Sequence, residues 1–250
     1  MYATLFTWGV TALGASLVFF FKKINKTILD GMLGFAAGVM IAASIWSLII
    51  PGIEMSNDLG LNIPLTISCG FLSGCLIIFL VENIMNCLIK KNQNGFSFKR
   101  CILLIISITL HNIPEGLAVG VAFGAVLYNI EGASLIAAIS LAIAIGIQNF
   151  PEGAAVSIPL RREGFSRLKA FFYGQLSGVV EPIAGVLGVI LVLKMRHLLP
   201  FLLSFAGGAM MFVVVLELIP ESQKNKSRGI IALFTMIGFV VMMILDISLG

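Results

Sequence analysis

The chain has 250 residues, of which 59% are hydrophobic and 11% charged, and its mean hydropathy is +1.07. A soluble globular protein has about 45–50% apolar and about 25% charged residues, so this composition indicates an integral membrane protein. The net charge of +4 comes from short basic loops rather than from one basic face, which argues against nucleic-acid binding. No loop is long enough to fold separately, so residues 1–250 are interpreted as a single transmembrane domain.

Eight segments are long and apolar enough to cross a bilayer as helices, which requires about 20 residues each. Their predicted bounds are 2–21, 31–50, 63–87, 102–126, 133–158, 170–193, 198–219 and 229–248. These apolar runs are continuous and much longer than the strands of a membrane barrel, so the predicted fold is all-α. In the first span the lysines follow the apolar run, which is the reverse of a cleavable signal peptide.

Lysine and arginine are distributed unevenly between the two sides of this topology. One side carries only Lys194 and Arg196. The other carries fourteen, namely Lys22, Lys23, Lys26, Lys90, Lys91, Lys99, Arg100, Arg161, Arg162, Arg167, Lys169, Lys224, Lys226 and Arg228. Positive charge accumulates in cytoplasmic loops, so the pattern predicts that both termini lie outside the cytoplasm, and it agrees with eight spans.

Three glutamates fall in the middle of predicted spans: Glu115 in the fourth, Glu152 in the fifth and Glu181 in the sixth. A charged side chain at the bilayer centre costs at least about 2.5–3.5 kcal/mol, so these groups are expected to face the protein interior. All sixteen lysines and arginines lie in loops or at span ends, so the compensating charge must come from protons or a metal cation. Glu82, Glu217 and Asp246 are intermediate in depth, and the remaining acids, including Asp30, are expected at span ends or in loops.

A six-residue pattern, [HQ]-N-x-P-E-G, occurs twice, at residues 111–116 in the fourth span and 148–153 in the fifth. Consecutive spans run in opposite directions, so the two copies form an inverted pair, as in transporters whose site lies at a repeat interface. Residues four apart share a helix face. The pattern therefore predicts a central pair of helices with converging side chains from His111, Asn112, Glu115, Gln148, Asn149 and Glu152.

The sixth span adds a third carboxylate beside a proline, Glu181-Pro182. Nitrogen and oxygen donors without thiolate suit a borderline divalent ion such as Zn²⁺, Fe²⁺ or Mn²⁺. The donors exceed one tetrahedral site, which favours two metals that share glutamates. A metal-free proton relay and a purely structural cluster are the alternatives. A weaker sequence similarity relates the second span to the seventh. Met40, in the second span, is either a soft ligand or an ordinary core side chain.

At these motifs the sequence resembles the ZIP family of divalent-metal transporters, most closely a prokaryotic-type branch with short loops. The resemblance covers nearly the whole chain. It implies a homodimeric carrier in the cytoplasmic (inner) membrane that imports Zn²⁺, with Cd²⁺, Fe²⁺ and Mn²⁺ as further candidate cargo and no catalytic cofactor. It also implies a cytoplasmic exit past Glu82 and Glu217.

The resemblance further implies a binuclear centre in which Glu115 and Glu152 bridge two ions. One ion would be held by His111, Glu115, Gln148 and Glu152, with Met40 as a weaker fifth contact. The other would be held by Asn112, Glu115, Asn149, Glu152 and Glu181.

Two positions depart from the family pattern. Many relatives have His where this chain has Gln148, and some have Asp where it has Asn149, so occupancy of the second site is left open. His197, in an outer loop, is assigned no role. An intramembrane zinc-dependent hydrolase is the alternative from another class, although only one histidine lies at depth and no HExxH motif occurs. Carrier and channel mechanisms, metal preference and proton coupling are not distinguished at this level.

Overall fold

The computed structural model describes residues 1–20, 26–90, 96–130, 133–194, 196–223 and 228–249. Within these ranges it describes the backbone alone for residues 26, 85–86, 88–90, 96–104, 106–107, 110–111, 162, 193–194, 196 and 249. All secondary structure in the described ranges is helical, which confirms the predicted all-α fold class.

Twelve α-helices are described, and several of them join end to end into longer spans. They are α1 (Tyr2–Ala15), α2 (Leu17–Phe20), α3 (Lys26–Ala43), α4 (Ile50–Asp58), α5 (Ile63–Lys90), α6 (Phe96–Leu127), α7 (Leu135–Arg162), α8 (Arg167–Leu176), α9 (Val180–Lys194), α10 (Leu199–Val213), α11 (Ile219–Ser222) and α12 (Arg228–Leu249). A π-helical segment, Ser44–Ile49, joins α3 to α4, and a second, Val214–Leu218, joins α10 to α11.

Seven helical stretches in the described part of the chain are long and apolar enough to cross a membrane. They are Tyr2–Phe20, Thr27–Asp58, Ile63–Ile84, Leu135–Arg161, Arg167–Val192, Leu199–Ser222 and Arg228–Ser248. A shorter apolar stretch, Asn112–Leu127, lies in α6 at the position of the predicted fourth span. The chain is therefore a multi-pass membrane protein, and its eighth span stays a prediction.

One predicted span bound was wrong. The second span does not end at residue 50, because the helix continues through Pro51 to Asp58 by way of the π-helical segment before this proline. The sixth span agrees with its predicted bounds to within a few residues, but its helix breaks between Leu176 and Val180. Asp30 was expected to lie harmlessly at a helix end, yet it is inside α3 and only 3% exposed.

The helices associate in four main pairs: α1 with α7, α3 with α12, α5 with α10, and α6 with α9. Glycines allow the close approach. Gly38 of α3 meets the Thr235 backbone of α12, and Gly74 of α5 meets the Phe205 backbone of α10. In the α6–α9 pair Gly116 lies against Glu181 and Gly120 against Gly185, so the two helices run parallel.

The two π-helical segments occur at corresponding positions of the second and seventh spans, which are similar in sequence. Each is followed directly by an isoleucine and a proline, Pro51 in one case and Pro220 in the other. A wider π-turn ahead of a proline accommodates the ring that would clash with the preceding α-turn. The same local structure, a π-helical segment before a proline, thus appears in both of the spans that are similar in sequence.

Candidate metal site

The two copies of the motif lie in the interiors of α6 and α7. Asn112 and Glu115 of α6 have no exposed surface, and neither do Gln148 and Asn149 of α7, while Glu152 is 1% exposed. Both helices continue unbroken through the motif prolines, Pro114 and Pro151. In a membrane helix such a proline is tolerated where neighbouring groups of the protein satisfy the backbone carbonyl that it releases.

Hydrogen bonds connect the motif residues of α6 and α7 with α9. The Gln148 amide Nε2 donates to Glu115 Oε1 over 2.5 Å, which joins α7 to α6. The Asn149 amide Nδ2 donates to Glu181 Oε1 over 3.0 Å, which joins α7 to α9. Glu181, itself fully buried, thereby becomes part of the same polar cluster, as the sequence predicted from its depth.

Backbone carbonyls orient the two asparagines in the same way. Asn112 Nδ2 donates to the carbonyl of Ser177, in the break between α8 and α9, over 2.9 Å. Asn149 Nδ2 donates to the carbonyl of Thr7 in α1 over 3.3 Å. Each amide nitrogen is thus turned toward the protein. The amide oxygens of both side chains are left for another partner.

Seven side-chain oxygens of this cluster are buried without a hydrogen-bond donor among the described residues. They are Asn112 Oδ1, Glu115 Oε2, Gln148 Oε1, Asn149 Oδ1, both carboxylate oxygens of Glu152 and Glu181 Oε2. Leaving one buried polar atom unpaired costs about 1–3 kcal/mol, and more for a charged group, so seven together require a compensating partner. Because every atom is an acceptor, that partner is a cation or a set of protons.

The three carboxylates also repel one another. The charge of Glu115 interacts unfavourably with those of Glu152 and Glu181, and Glu152 interacts likewise with Glu181. Their hydrogen-bond donors are neutral amides and a threonine hydroxyl, which supply no positive charge. A divalent cation among the free oxygens would relieve both the repulsion and the missing hydrogen bonds.

In the part of the chain whose side chains are described, carboxyl, imidazole and thiol groups alone do not make the site. Among the described residues no three His, Cys, Asp or Glu side chains form a group that could hold a metal ion. The predicted ligand set needs the amide oxygens as well, and it includes His111, whose side chain lies outside the described residues. Met40 is completely buried on α3, a helix that packs against α7.

The remaining predicted residues lie elsewhere. Glu82 is half-buried on α5 and Glu217 is half-buried in the second π-helical segment, and both interact with neighbouring groups. Asp246 of α12 accepts a hydrogen bond from Ser47 Oγ over 2.8 Å. His197 is exposed in the 3₁₀ turn before α10.

The sequence analysis missed the contribution of α1 to this cluster. Thr4, Thr7 and Thr11 are all buried, and the Thr11 hydroxyl lies 3.4 Å from Glu181 Oε1. The indole Nε1 of Trp8 donates to the backbone carbonyl of Gln175 over 3.0 Å, at the break before α9. The spacing of three threonines along one face of an apolar helix was the available signal.

Comparison with known proteins agrees with this architecture. The family model of the ZIP zinc transporters matches residues 93–246. The chain is 41% identical to zinc transporter ZIP11 of Xenopus tropicalis and 39% identical to zinc transporter ZIP11 of Homo sapiens, with 99% of this chain and 96% of each relative aligned. Zinc transporter GufA of Myxococcus xanthus is 34% identical over 99% of this chain and 98% of its own. A family match over more than half of the chain, with relatives of this similarity along nearly all of it, shows that the protein belongs to the ZIP zinc transporter family.

Proposed function

We propose that this protein imports Zn²⁺ into the cytoplasm through the buried polar cluster between α6, α7 and α9. The observation that carries the proposal is the set of seven buried acceptor oxygens that no described donor satisfies. The names of the relatives add support, since zinc transport is the function stated for each. Zinc is cargo in this account and not a catalytic cofactor.

The donors suit reversible binding of a borderline divalent ion. Carboxylate and amide oxygens with at most one imidazole hold Zn²⁺ less tightly than a closed thiolate site, so the ion can be released. The same chemistry admits Cd²⁺, Fe²⁺ and Mn²⁺ as further candidate cargo.

Two ions bridged by Glu115 and Glu152 would use the donors most fully. One site combines these glutamates with His111 and Gln148, and Met40 as a weaker contact. The other combines them with the two oriented asparagines and Glu181, whose free oxygens support that assignment. Because Asn149 contributes a neutral amide where some relatives have Asp, we expect the second ion to bind more weakly than it does in those relatives.

The helix pairing supports eight spans with inverted repeats. α6 is 32 residues long, more than the roughly 20 needed to cross a bilayer. An inverted repeat would relate the first three spans, in order, to the last three spans, and α6 to α7. Under this relation the α1–α7 pair corresponds to the α9–α6 pair, and the α3–α12 pair corresponds to the α10–α5 pair. All four observed pairs obey that one relation, and so do the two π-helical segments.

The distribution of basic residues supports a direction for the pathway. Fourteen of the sixteen basic residues fall in loops on one side of the eight-span arrangement, which we take to be cytoplasmic. Both termini then lie outside, and Glu82 and Glu217 lie toward the cytoplasmic exit. We place the protein in the cell membrane as a homodimer. The hydrolase alternative receives no support from the comparisons, whose relatives are named as transporters.

The test is zinc uptake by proteoliposomes that contain the purified protein. Wild type is compared with Glu152→Ala, and with Asp58→Asn as a control that removes an exposed carboxylate. The proposal predicts saturable uptake by wild type and Asp58→Asn, and none by Glu152→Ala. Competing Cd²⁺, Fe²⁺ and Mn²⁺, added in turn, rank the cargo. Equal uptake by Glu152→Ala and wild type would refute the proposal.

A further inference from the structure

The first helix carries a stripe of three buried threonines, Thr4, Thr7 and Thr11. Each of them makes the ordinary local hydrogen bond of a hydroxyl in a helix. Thr4 Oγ1 donates to the Met1 carbonyl over 3.0 Å, and Thr7 Oγ1 donates to the Thr4 carbonyl over 3.1 Å. Thr11 Oγ1 lies 3.3 Å from the Thr7 carbonyl and also 3.4 Å from an acceptor on another helix, Glu181 Oε1.

Contacts on the two sides of the polar cluster correspond one to one. On one side Asn112 donates to the Ser177 carbonyl, and Gly116 lies against the backbone of Glu181. On the other, Asn149 donates to the Thr7 carbonyl, and Gly153 lies against the backbone of Thr11. In both cases the glycine contact follows four residues after the carbonyl that accepts. Thr11 therefore occupies in α1 the place that Glu181 occupies in α9.

The two donors to Glu181 meet at one oxygen. Asn149 Nδ2 and Thr11 Oγ1 both approach Oε1, at 3.0 Å and 3.4 Å, and the Thr7 side chain also interacts with this carboxylate. The other oxygen, Oε2, is buried and has no donor. Two donors on one oxygen restrict the carboxylate more than one does, and they leave Oε2 as the oxygen of Glu181 that is free for a further partner.

We propose that Thr11 is a positioning residue for zinc: its hydroxyl holds Oε1 of Glu181 so that Oε2 is presented to the ion. This inference rests on the proposed function, since the ion in question is the transported one. Thr11 does not touch the ion in this account. It acts through Glu181, so α1 also contributes to the site, together with α6, α7 and α9.

The test measures zinc uptake and equilibrium zinc binding for four proteins: wild type, Thr11→Val, Thr11→Ser and Thr4→Val. Valine keeps the branched shape and removes the hydroxyl, while serine keeps the hydroxyl. Thr4 is the matched control, because it is buried on the same helix and donates to the Met1 carbonyl. ZnCl₂ is the probe in both assays, and thermal unfolding verifies that each variant is folded.

Thr11→Val is expected to raise the KM for zinc and weaken its binding about five- to tenfold, the effect of losing one typical intramolecular hydrogen bond, with Vmax nearly unchanged. Thr11→Ser and Thr4→Val are expected to remain within roughly twofold of wild type, since each retains the hydrogen bond to Glu181. A merely structural role would lower Vmax and stability without this selective rise in KM.

Three results would overturn the inference: an unchanged KM in Thr11→Val, equal impairment of Thr11→Val and Thr11→Ser, or an equal effect of Thr4→Val. If Thr11→Val does not fold, Thr11→Ala is measured in its place with the same expected rise in KM. Wild type that neither binds nor transports zinc would refute the proposed function and this inference together. Transport by wild type with no effect of Thr11→Val would refute the inference alone.

Discussion

The contact between α6 and α9 at Gly116 allows a quantitative prediction. A Cβ at this position would lie 2.4 Å from the carbonyl oxygen of Glu181, whereas ordinary contacts of a Cβ begin near 3.4 Å. In Gly116→Ala the helices must therefore separate by about 1 Å, the difference between these two distances. Overpacking of this kind costs about 1–3 kcal/mol of the free energy of unfolding.

The same displacement would reach the polar cluster. The hydrogen bond from Asn112 of α6 to the Ser177 carbonyl before α9 is 2.9 Å long, and N–H···O bonds extend to about 3.2 Å, so a shift of this size is enough to break it. Gly116→Ala is therefore expected to lower both the thermal midpoint in detergent and the rate of zinc uptake. The chemistry of every proposed ligand is unchanged in this variant.

Gly9→Ala is the matched control on a neighbouring helix. Gly9 is exposed on α1, and a Cβ there has no atom within 4 Å. Replacing a helical glycine by alanine in open space stabilises a helix by about 0.5–1 kcal/mol. Gly9→Ala is thus expected to transport like wild type with an equal or higher midpoint. Gly116→Ala with wild-type stability and uptake would refute the close-packing explanation.

Three further predictions concern stability, each read as a thermal midpoint in detergent. Zinc at about 100 times its dissociation constant is expected to stabilise wild type by about 2.7 kcal/mol and to stabilise Glu152→Gln much less. Equal shifts of the thermal midpoint in the two proteins would contradict zinc binding at the cluster. Trp8→Phe is expected to cost about 1 kcal/mol, because it removes the N–H that donates to Gln175 at the helix break, and an unchanged midpoint would contradict this role. Ser47→Ala is expected to lower the midpoint while Ser47→Thr preserves it, since the hydroxyl donates to Asp246; equal effects of the two would contradict this.

Much of the fold could be predicted because lipid imposes simple requirements. Long apolar runs and their basic flanks located the spans, and the depth of Glu115, Glu152 and Glu181 predicted that all three would be buried together. The glycines of the repeated motif, Gly116 and Gly153, each lie against the backbone of another helix, as small residues do where membrane helices pack closely. These inferences use only position along the chain and the cost of burying charge.

The irregular parts could not be predicted because they depend on contacts distant in sequence. The break before α9 leaves backbone groups that Trp8 of α1 and Asn112 of α6 satisfy. The extension of the second span past Pro51 depends on a π-helical segment, which composition does not reveal. The role of Thr11 required knowing that α1 lies beside α9 and α7, since a threonine in an apolar helix more often bonds only to its own backbone.

The most direct test of the central claim is the number of zinc ions that the purified protein binds at equilibrium, measured with wild type and the double variant Glu115→Gln/Glu152→Gln. Glutamine preserves the shape of each side chain and removes both bridging charges. The account predicts at least one ion per chain in wild type and none at the same zinc concentration in the folded double variant. A double variant that binds zinc with the wild-type stoichiometry and affinity would show that the buried oxygens of α6 and α7 are not the cation site.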